Sequence, residues 1–177
     1  LDVCAAPGGK ATALAHTGAT VIAADQRPSR ARLVQGNATR LGLQVPVAVA
    51  DGTAPPWRDG SFDAVLLDAP CSGLGALRRR ADARWRIEPA AIDELAALQA
   101  ALLDASAALV APAGRLVYSV CTITAAESTD HPMPEGFDVD PTPPPVGLWR
   151  PFGQGWRVLP QDADTDGMVM IRYRRTS

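Results

Sequence analysis

Cysteine and histidine are scarce in this sequence, which limits the chemistry that it can support. Its three cysteines, Cys4, Cys71 and Cys121, lie far apart. An odd number of distant cysteines argues against a disulfide framework and suits a reducing cytosol. The two histidines, His16 and His131, are isolated, and no Cys or His spacing resembles a zinc site. We therefore expect neither a disulfide scaffold nor a bound metal.

Long hydrophobic runs are also missing. No apolar segment approaches the roughly 20 residues that span a bilayer, and no basic-then-apolar signal peptide opens the chain. With 177 residues, 47% of them hydrophobic and 20% charged, the composition suits one ordinary globular domain. Residues 1–3 resemble the end of a buried strand, so we expect a fragment that is truncated at its N-terminus.

An excess of positive charge is lacking as well. The net charge of −2 gives poor support to nucleic-acid binding. The basic residues are nevertheless unevenly distributed, and local patches can bind phosphates even when the total charge is acidic. One cluster falls within nine positions and another closes the chain: Arg78, Arg79, Arg80, Arg84 and Arg86, then Arg172, Arg174 and Arg175.

Short apolar runs alternate with helix-like stretches along the chain. This alternation predicts an α/β fold with a parallel sheet. The predicted strands are residues 1–3, 19–24, 45–50, 62–67, 115–120 and 168–174, and the predicted helices are residues 10–17, 28–41 and 89–110. Residues 132–145 contain six prolines and are expected to form an irregular crossover before the last strand.

Polar residues stand at the ends of four predicted strands: Asp25, Asp51, Asp68 and Cys121. Ligands of open α/β sheets bind beyond the carboxyl ends of the strands, so this series favours a functional site over a set of turn residues. Individually, Asp25 could bind ribose hydroxyls or cap the following helix, and Asp51 could accept from an adenine amino group or cap its own turn.

The segment from Asp2 to Lys10 reads as a strand, a tight turn and a helix start. Paired glycines let a backbone approach a ligand, and a helix N-terminus favours a carboxylate or phosphate. The segment is neither a P-loop nor a G-x-G-x-x-G fingerprint. On its glycines alone, a plain helix-entry turn remains equally open.

Cys71 lies in Asp-Ala-Pro-Cys-Ser-Gly, and Cys121 lies in Ser-Val-Cys-Thr, about 50 residues later. Both cysteines follow neighbouring parallel strands, where thiols could face one another across a pocket. Cys4, in contrast, could simply be a small buried hydrophobe.

Together with Cys-Ala-Ala-Pro-Gly-Gly-Lys, Asp25 and Asp51, these motifs resemble those of the RNA 5-methylcytosine methyltransferase family, which includes bacterial Sun/Fmu and the NOP2/Sun proteins. The resemblance covers nearly the whole chain, including a last motif at residues 159–168. It implies that residues 1–177 are the catalytic domain of a cytosine-5 methyltransferase, with S-adenosylmethionine as the cofactor. It also implies a doubly wound, Rossmann-like α/β sheet that is mostly parallel, with the last strand inserted antiparallel.

The resemblance also implies residue roles. Cys121 would be the nucleophile, Cys71 would assist product release, and Asp68 would contact both cofactor and target base. The cofactor would be bound by Cys4, Ala5, Ala6, Pro7, Gly8, Gly9, Lys10, Asp25, Arg30, Asp51 and Asp68. The sequence departs from the family pattern at Ala125-Ala126-Glu127, where Asn-Glu-Glu is common.

RNA is the expected partner, and ribosomal RNA is favoured over transfer RNA by resemblance. RNA phosphates would be gripped by Arg78, Arg79, Arg80 and Arg84, with Trp85 stacking on a base. The alternative is a solvated helix start with Trp85 in the core. We expect a cytoplasmic monomer.

Two other functions stay open from the sequence. A methyltransferase for a small molecule or a protein would not need two cysteines. A non-catalytic RNA-binding module could keep the fold, although the intact thiols argue against it.

Overall fold

The computed structural model describes residues 1–79, 84–85 and 87–176. Its helices are α1 (Gly9–His16), α2 (Pro28–Arg40), α3 (Pro89–Ala108) and α4 (Pro160–Ala163). Its strands are β1 (Ala23–Asp25), β2 (Val47–Val49), β3 (Phe62–Asp68), β4 (Val110–Val120), β5 (Phe137–Val139), β6 (Arg150–Phe152), β7 (Gly155–Val158) and β8 (Met168–Arg175).

The first residues of the chain join two parts of one central sheet. Asp2 pairs in parallel with Ala23 of β1 on one side and with Leu66 of β3 on the other. β2 pairs with β1 in parallel, and the order continues from β3 through β4, β8, β7 and β6. The predicted α/β fold with a central sheet is therefore confirmed. The sheet is mixed, however, and not mostly parallel, because β8, β5, β7 and β6 all form antiparallel pairs.

The core lies on both faces of this sheet. Strand residues such as Leu67, Leu116 and Tyr118 pack with Leu102 and Leu103 of α3, and all five are nearly inaccessible to solvent. A second apolar cluster lies where α1 and α2 cover β1. Both α2 and α3 begin with a proline, which suits the first helical turn because that turn needs no backbone donor.

The end of α3 and the start of β4 differ from the sequence prediction. The helix was expected to reach residue 110, but Val110 already pairs with Phe62. The pairing is irregular around Ala113, which has a left-handed φ of 61°, and it resumes where Arg115 meets Ala64. The turn at residues 112–114 therefore lies inside the strand and does not separate it from the helix.

β8 is antiparallel to β4, as the family resemblance implies. The Pro-rich stretch before it is not wholly irregular, because β5 pairs with the far end of β8. The β6–β7 hairpin then adds to the same edge of β8. Sequence reasoning missed these three short strands. Among the described residues, no helix has the length and apolarity needed to cross a membrane.

Candidate functional site

The polar strand ends come together at the carboxyl edge of the sheet, as predicted. Asp25 ends β1, Asp68 ends β3, and Cys121 directly follows β4. Parallel pairing aligns these ends, since Asp25 is paired with Val49 and Asp68 with Ser119. A ligand placed over this edge could reach two carboxylates and a thiol.

The Gly-rich turn precedes α1 at the same edge. Gly8 has a left-handed φ of 107°, and an added Cβ would lie 3.1 Å from Val34 atoms. An added Cβ at Gly9 would meet no atom within 4 Å, so the space in front of the helix is open. This turn can therefore present the N-terminus of α1 to a carboxylate, such as that of a methionine moiety.

Asp2 is a candidate site residue that sequence reasoning did not single out. It is fully buried, and its two carboxylate oxygens have no hydrogen-bond partner among the described residues. Burial, together with the negative charge of Asp68, raises the pKa of Asp2 to about 7. An unpartnered carboxylate beneath the Gly-rich turn creates a negative field, which fits a cofactor that carries an ammonium and a sulfonium group.

Asp25 is held by three hydrogen bonds ahead of α2. Its Oδ1 accepts the backbone N–H of Arg27 at 3.0 Å, which closes the turn before the helix, but the start of α2 itself has no side-chain cap. Its Oδ2 accepts from Arg30 Nε at 3.1 Å and more weakly from the N–H of Ala6. A carboxylate offers about four acceptor positions. One therefore remains available for a ribose hydroxyl, and the ribose contact stays a prediction.

Arg30 connects Asp25 to the Gly-rich turn. Besides its ion pair with Asp25, it donates from Nη2 to the carbonyl of Ala6 at 3.0 Å. These two contacts stabilise the loop that would hold the cofactor. Direct contact between Arg30 and the cofactor stays a prediction.

Asp51 is exposed and mainly organises its own turn. It accepts from the N–H of Thr53 at 2.9 Å and from the Thr53 hydroxyl at 2.8 Å, and these bonds lower its pKa. Gln26 also donates to it, at 3.2 Å. The capping interpretation therefore describes its present contacts, and the adenine contact stays a prediction.

Asp68 is held from two sides. Ser119 Oγ donates to its Oδ1 at 2.7 Å, and Lys10 Nζ forms an ion pair with its Oδ2 at 2.6 Å. The ion pair links the Gly-rich turn to the end of β3. Asp68 thus lies between the cofactor side and the thiol side of the site.

Cys71 and Cys121 face one another, as the motif spacing predicted. Their sulfur atoms are 3.2 Å apart, and both residues are free and half-buried. A hydrogen bond from the Cys71 thiol lowers the pKa of Cys121 to about 7, although burial and Asp68 oppose this shift. Donating that bond raises the pKa of Cys71. Cys121 is therefore the partner suited to be the thiolate, and Cys71 the partner suited to keep a proton.

Cys4 has a different environment. It packs against the main core, and burial raises its pKa to about 12. A thiol that keeps its proton at neutral pH behaves as a small apolar side chain. Cys4 therefore shapes the Gly-rich turn without being a nucleophile.

The predicted RNA-binding arginines begin directly after the Cys71 turn. Arg78 and Arg79 form exposed ion pairs with Asp164 and Asp166, and these residues line a cleft of about 340 Å³. Trp85 is 83% exposed, so the alternative that placed it in the core is wrong. Arg84 is also exposed, whereas Arg80 and Arg86 lie outside the described residues.

Comparisons with known proteins identify the family of this chain. A family model described as 16S rRNA methyltransferase RsmB/F matches residues 1–173. A Mycobacterium tuberculosis protein named as a methyltransferase is 42% identical over 187 residues, covering 99% of this chain and 40% of that protein. The ribosomal RNA small subunit methyltransferase B of Vibrio vulnificus is 37% identical over 171 residues, covering 94% of this chain and 40% of that protein.

Solved structures are similar as well. NSun6 from Pyrococcus horikoshii, crystallised with SFG, has a TM-score of 0.84 at 26% identity, covering 99% of this chain and 47% of that one. The crystal structure of PH0851 has a TM-score of 0.89 at 30% identity, covering 98% and 42% of the two chains. The chain thus spans about two fifths of the length of the curated relatives that it matches.

Proposed function

We propose, because this chain belongs to the 16S rRNA methyltransferase RsmB/F family, that it is the catalytic domain of an enzyme that methylates carbon 5 of cytosine in ribosomal RNA. The observation that carries this proposal is the contact between Cys71 and Cys121 at the strand ends beside Asp68. A methyltransferase for small molecules or proteins would not require two thiols in contact at this position.

The methyl donor of this family is S-adenosylmethionine. When bound, it supplies an electrophilic methyl group on a positively charged sulfur. The turn from Cys4 to Lys10 would hold its methionine part, with Asp2 supplying negative charge beneath. Asp25 would hold the ribose, and Asp51 would lie near the adenine.

Cys121 would act on the target base as a covalent catalyst. Carbon 5 of cytosine is a weak nucleophile, so the Cys121 thiolate first adds to carbon 6 and its electron pair forms the new carbon–sulfur bond. The displaced ring electrons make carbon 5 nucleophilic. Asp68 would hydrogen-bond the ring nitrogen and amino group, which would support protonation of that nitrogen as sulfur adds.

Cys71 would serve the release of the product. After methylation, the proton on carbon 5 must leave before the bond between carbon 6 and Cys121 can break. Once Cys121 is bonded to the cytosine, it is no longer a thiolate to which Cys71 can donate a hydrogen bond. We assign to Cys71 the removal of that proton, after its own thiol proton has passed to solvent, or else the positioning of the general base that removes it.

RNA would approach across the arginine-rich segment. Exposed ion pairs such as Arg78–Asp164 contribute little stability, so an RNA phosphate can replace the aspartate at small cost. Trp85 is available to stack on an unpaired base, and the target cytosine must be unpaired or flipped out. Reduced thiols suit a cytoplasmic enzyme, and we propose a monomer.

The test of this function is covalent trapping with RNA that contains 5-fluorocytosine. Fluorine at carbon 5 blocks the final elimination, so the chain, or a version extended upstream, should become linked to RNA when S-adenosylmethionine is present. The Cys121→Ala variant should form no adduct on a denaturing gel. If the extended protein binds both RNA and cofactor yet forms no adduct, the covalent mechanism is wrong.

The Asp2→Asn variant should become more stable and bind the cofactor less well. The pKa of Asp2 in the folded state, about 7, lies above its unfolded value, so Asp2 increasingly destabilises the fold as pH rises from about 4 to 7. The gain from asparagine should be about 2 kcal/mol larger at pH 8 than at pH 5. Affinity for S-adenosylmethionine should rise with pH through 7 in the parent protein only.

Thermal unfolding and titration calorimetry at the two pH values check both parts of this prediction. Equal stabilisation at pH 5 and pH 8 would show that the pKa of Asp2 is not raised in the folded protein. An unchanged affinity at pH 8 would show that its charge does not reach the cofactor.

A further inference from the structure

A buried carboxylate lies behind the two thiols, and the mechanism above does not use it. Glu127 belongs to the segment that follows Cys121, and its exposure to solvent is 0%. Burying a charged group is costly unless hydrogen bonds replace its hydration. The contacts of Glu127 therefore indicate what the residue does.

The carboxylate of Glu127 accepts hydrogen bonds on both oxygens. Oε1 accepts the backbone N–H of Ser72 at 2.6 Å, with Gln99 Nε2 further away at 3.4 Å. Oε2 accepts the hydroxyls of Ser72 at 2.6 Å, Thr122 at 2.7 Å and Thr124 at 2.9 Å. These donors fill the acceptor capacity of a carboxylate.

The strongest donors lie next to the thiols in the sequence. Ser72 follows Cys71, and Thr122 follows Cys121. The ladder between β3 and β4 ends with the pair Asp68 and Ser119, so both thiol turns extend beyond the regular pairing of the sheet. Beyond the end of that ladder, hydrogen bonds to Glu127 connect the two turns.

Glu127 is ionised at neutral pH. Burial opposes its ionisation, but the hydrogen bonds from Ser72, Thr122 and Thr124 outweigh burial, and its pKa is lowered. None of the ion pairs found among the described residues includes Glu127. Its charge is therefore balanced by neutral donors that belong to the two thiol turns.

Neighbouring elements fix the position of Glu127. Gln99 of α3 donates to the carbonyl of Pro70 at 2.8 Å and lies 3.3 Å from His131 Nε2. Tyr118 donates its hydroxyl to the backbone carbonyl of Glu127 at 2.7 Å. Contacts with α3 and β4 thus hold Glu127 in place independently of its hydrogen bonds to the thiol turns.

We propose that Glu127 is a positioning residue, which holds the turns after Cys71 and Cys121 through the hydrogen bonds that it accepts and so keeps the two thiols in contact. The effect of Glu127 on catalysis rests on the proposed function, whereas its effect on the contact between Cys71 and Cys121 does not.

Removing the carboxylate should therefore change the acidity of Cys121. The hydrogen bond from Cys71 is the main cause of the lowered pKa of that thiol. In Glu127→Ala the thiols should separate, and the pKa of Cys121 should rise from about 7 towards the ordinary value of about 8.5. The other charges that act on Cys121, those of Asp68, Lys10 and Arg79, are unchanged in this variant.

Alkylation of Cys121 by iodoacetamide, followed against pH by peptide mass spectrometry, measures this acidity without RNA or cofactor. At pH 7 the rate in Glu127→Ala should fall roughly tenfold, because the thiolate fraction falls by about that factor. Glu127→Gln should retain most of the parent rate, since its amide oxygen can accept from Ser72 N–H and its amide group can donate to the hydroxyls.

Two further variants keep the test decisive. If Glu127→Ala does not fold, Thr122→Val removes one donor while keeping the side-chain shape, and it should shift the pH profile in the same direction by less. Ser106→Ala is the matched control, because Ser106 is also fully buried but its Oγ has no hydrogen-bond partner among the described residues, and it should leave the profile unchanged. Circular dichroism establishes folding of each variant.

The possible outcomes separate this proposal from the proposed function. A folded Glu127→Ala variant with the parent pH profile overturns it, as does a Glu127→Gln variant that is as impaired as Glu127→Ala. If the profile shifts as expected but the parent protein forms no RNA adduct, the positioning role stands and the proposed function fails. If an adduct forms, Glu127→Ala should lower kcat with little change in the KM for RNA.

Discussion

Replacing Cys71 with alanine is expected to leave the protein covalently joined to RNA through Cys121, even when the RNA contains ordinary cytosine. Cys121 would still attack carbon 6, because its sulfur remains at the end of β4. Without Cys71, the proton on carbon 5 would leave slowly, and the bond between carbon 6 and sulfur would persist. Cys121→Ala, in contrast, should lower methylation by at least about a thousandfold, since the nucleophile is absent.

A denaturing gel with labelled RNA distinguishes the two roles, and incorporation of labelled methyl groups shows whether transfer occurred. The double variant, with both cysteines replaced by alanine, is the matched control and should form no adduct. An adduct that persists in Cys121→Ala and disappears in Cys71→Ala would exchange the assignments of nucleophile and release residue.

Gly75→Ala should disrupt the site although residue 75 carries no reactive group. The N–H of Gly75 donates to the carbonyl of Cys121 at 3.0 Å, and its own carbonyl accepts from the N–H of Gly167 at 2.8 Å. An added Cβ would lie 2.0 Å from the carbonyl oxygen of Gly167 and 3.0 Å from that of Cys121. Because these are backbone atoms, the chains must separate, and the Cys121 turn must move.

We expect Gly75→Ala to destabilise the protein by about 1–3 kcal/mol, which is typical of overpacking. A displacement of about 1 Å at the nucleophile should lower methylation roughly a hundredfold. Urea unfolding and single-turnover methylation measure the two effects. Gly36→Ala on α2 is the control, because an added Cβ there meets nothing within 4 Å, and it should be neutral or slightly stabilising. Parent-like activity in Gly75→Ala would show that this junction does not position Cys121.

The sequence predicted those parts of the fold that depend on local pattern. The apolar runs of β3, β4 and β8 are long enough to identify, and prolines mark the starts of α2 and α3. β5, β6 and β7 have only three or four residues each, in a segment rich in proline. They exist because β8 offers an unpaired edge, and no local pattern carries that information.

In the candidate site, too, some features follow from local sequence pattern and others depend on tertiary contacts. Strand-end positions and motif spacing predicted that Cys71 and Cys121 would meet, because parallel neighbours align their carboxyl ends. The pattern could not show that the Asp2 carboxylate lacks a hydrogen-bond partner within the part of the chain that the structure describes, or that Glu127 accepts from both thiol turns. Each of those properties depends on which side chains surround a carboxylate in three dimensions, and residues distant in the sequence supply them. The paired state of Arg78 and Arg79 likewise comes from acidic residues more than eighty positions away.

The junction of Gly75 with Cys121 and Gly167 also has a consequence for the order in which the protein acquires reactivity. During synthesis both cysteines emerge long before Gly167, which lies just ahead of β8. Until that last strand is inserted beside β4, the bond from Gly167 to Gly75 cannot form, and the Cys121 turn lacks part of its support. A nascent chain would therefore hold the Cys121 turn less firmly, and the position of the nucleophile would become fully defined only when the final strand has docked.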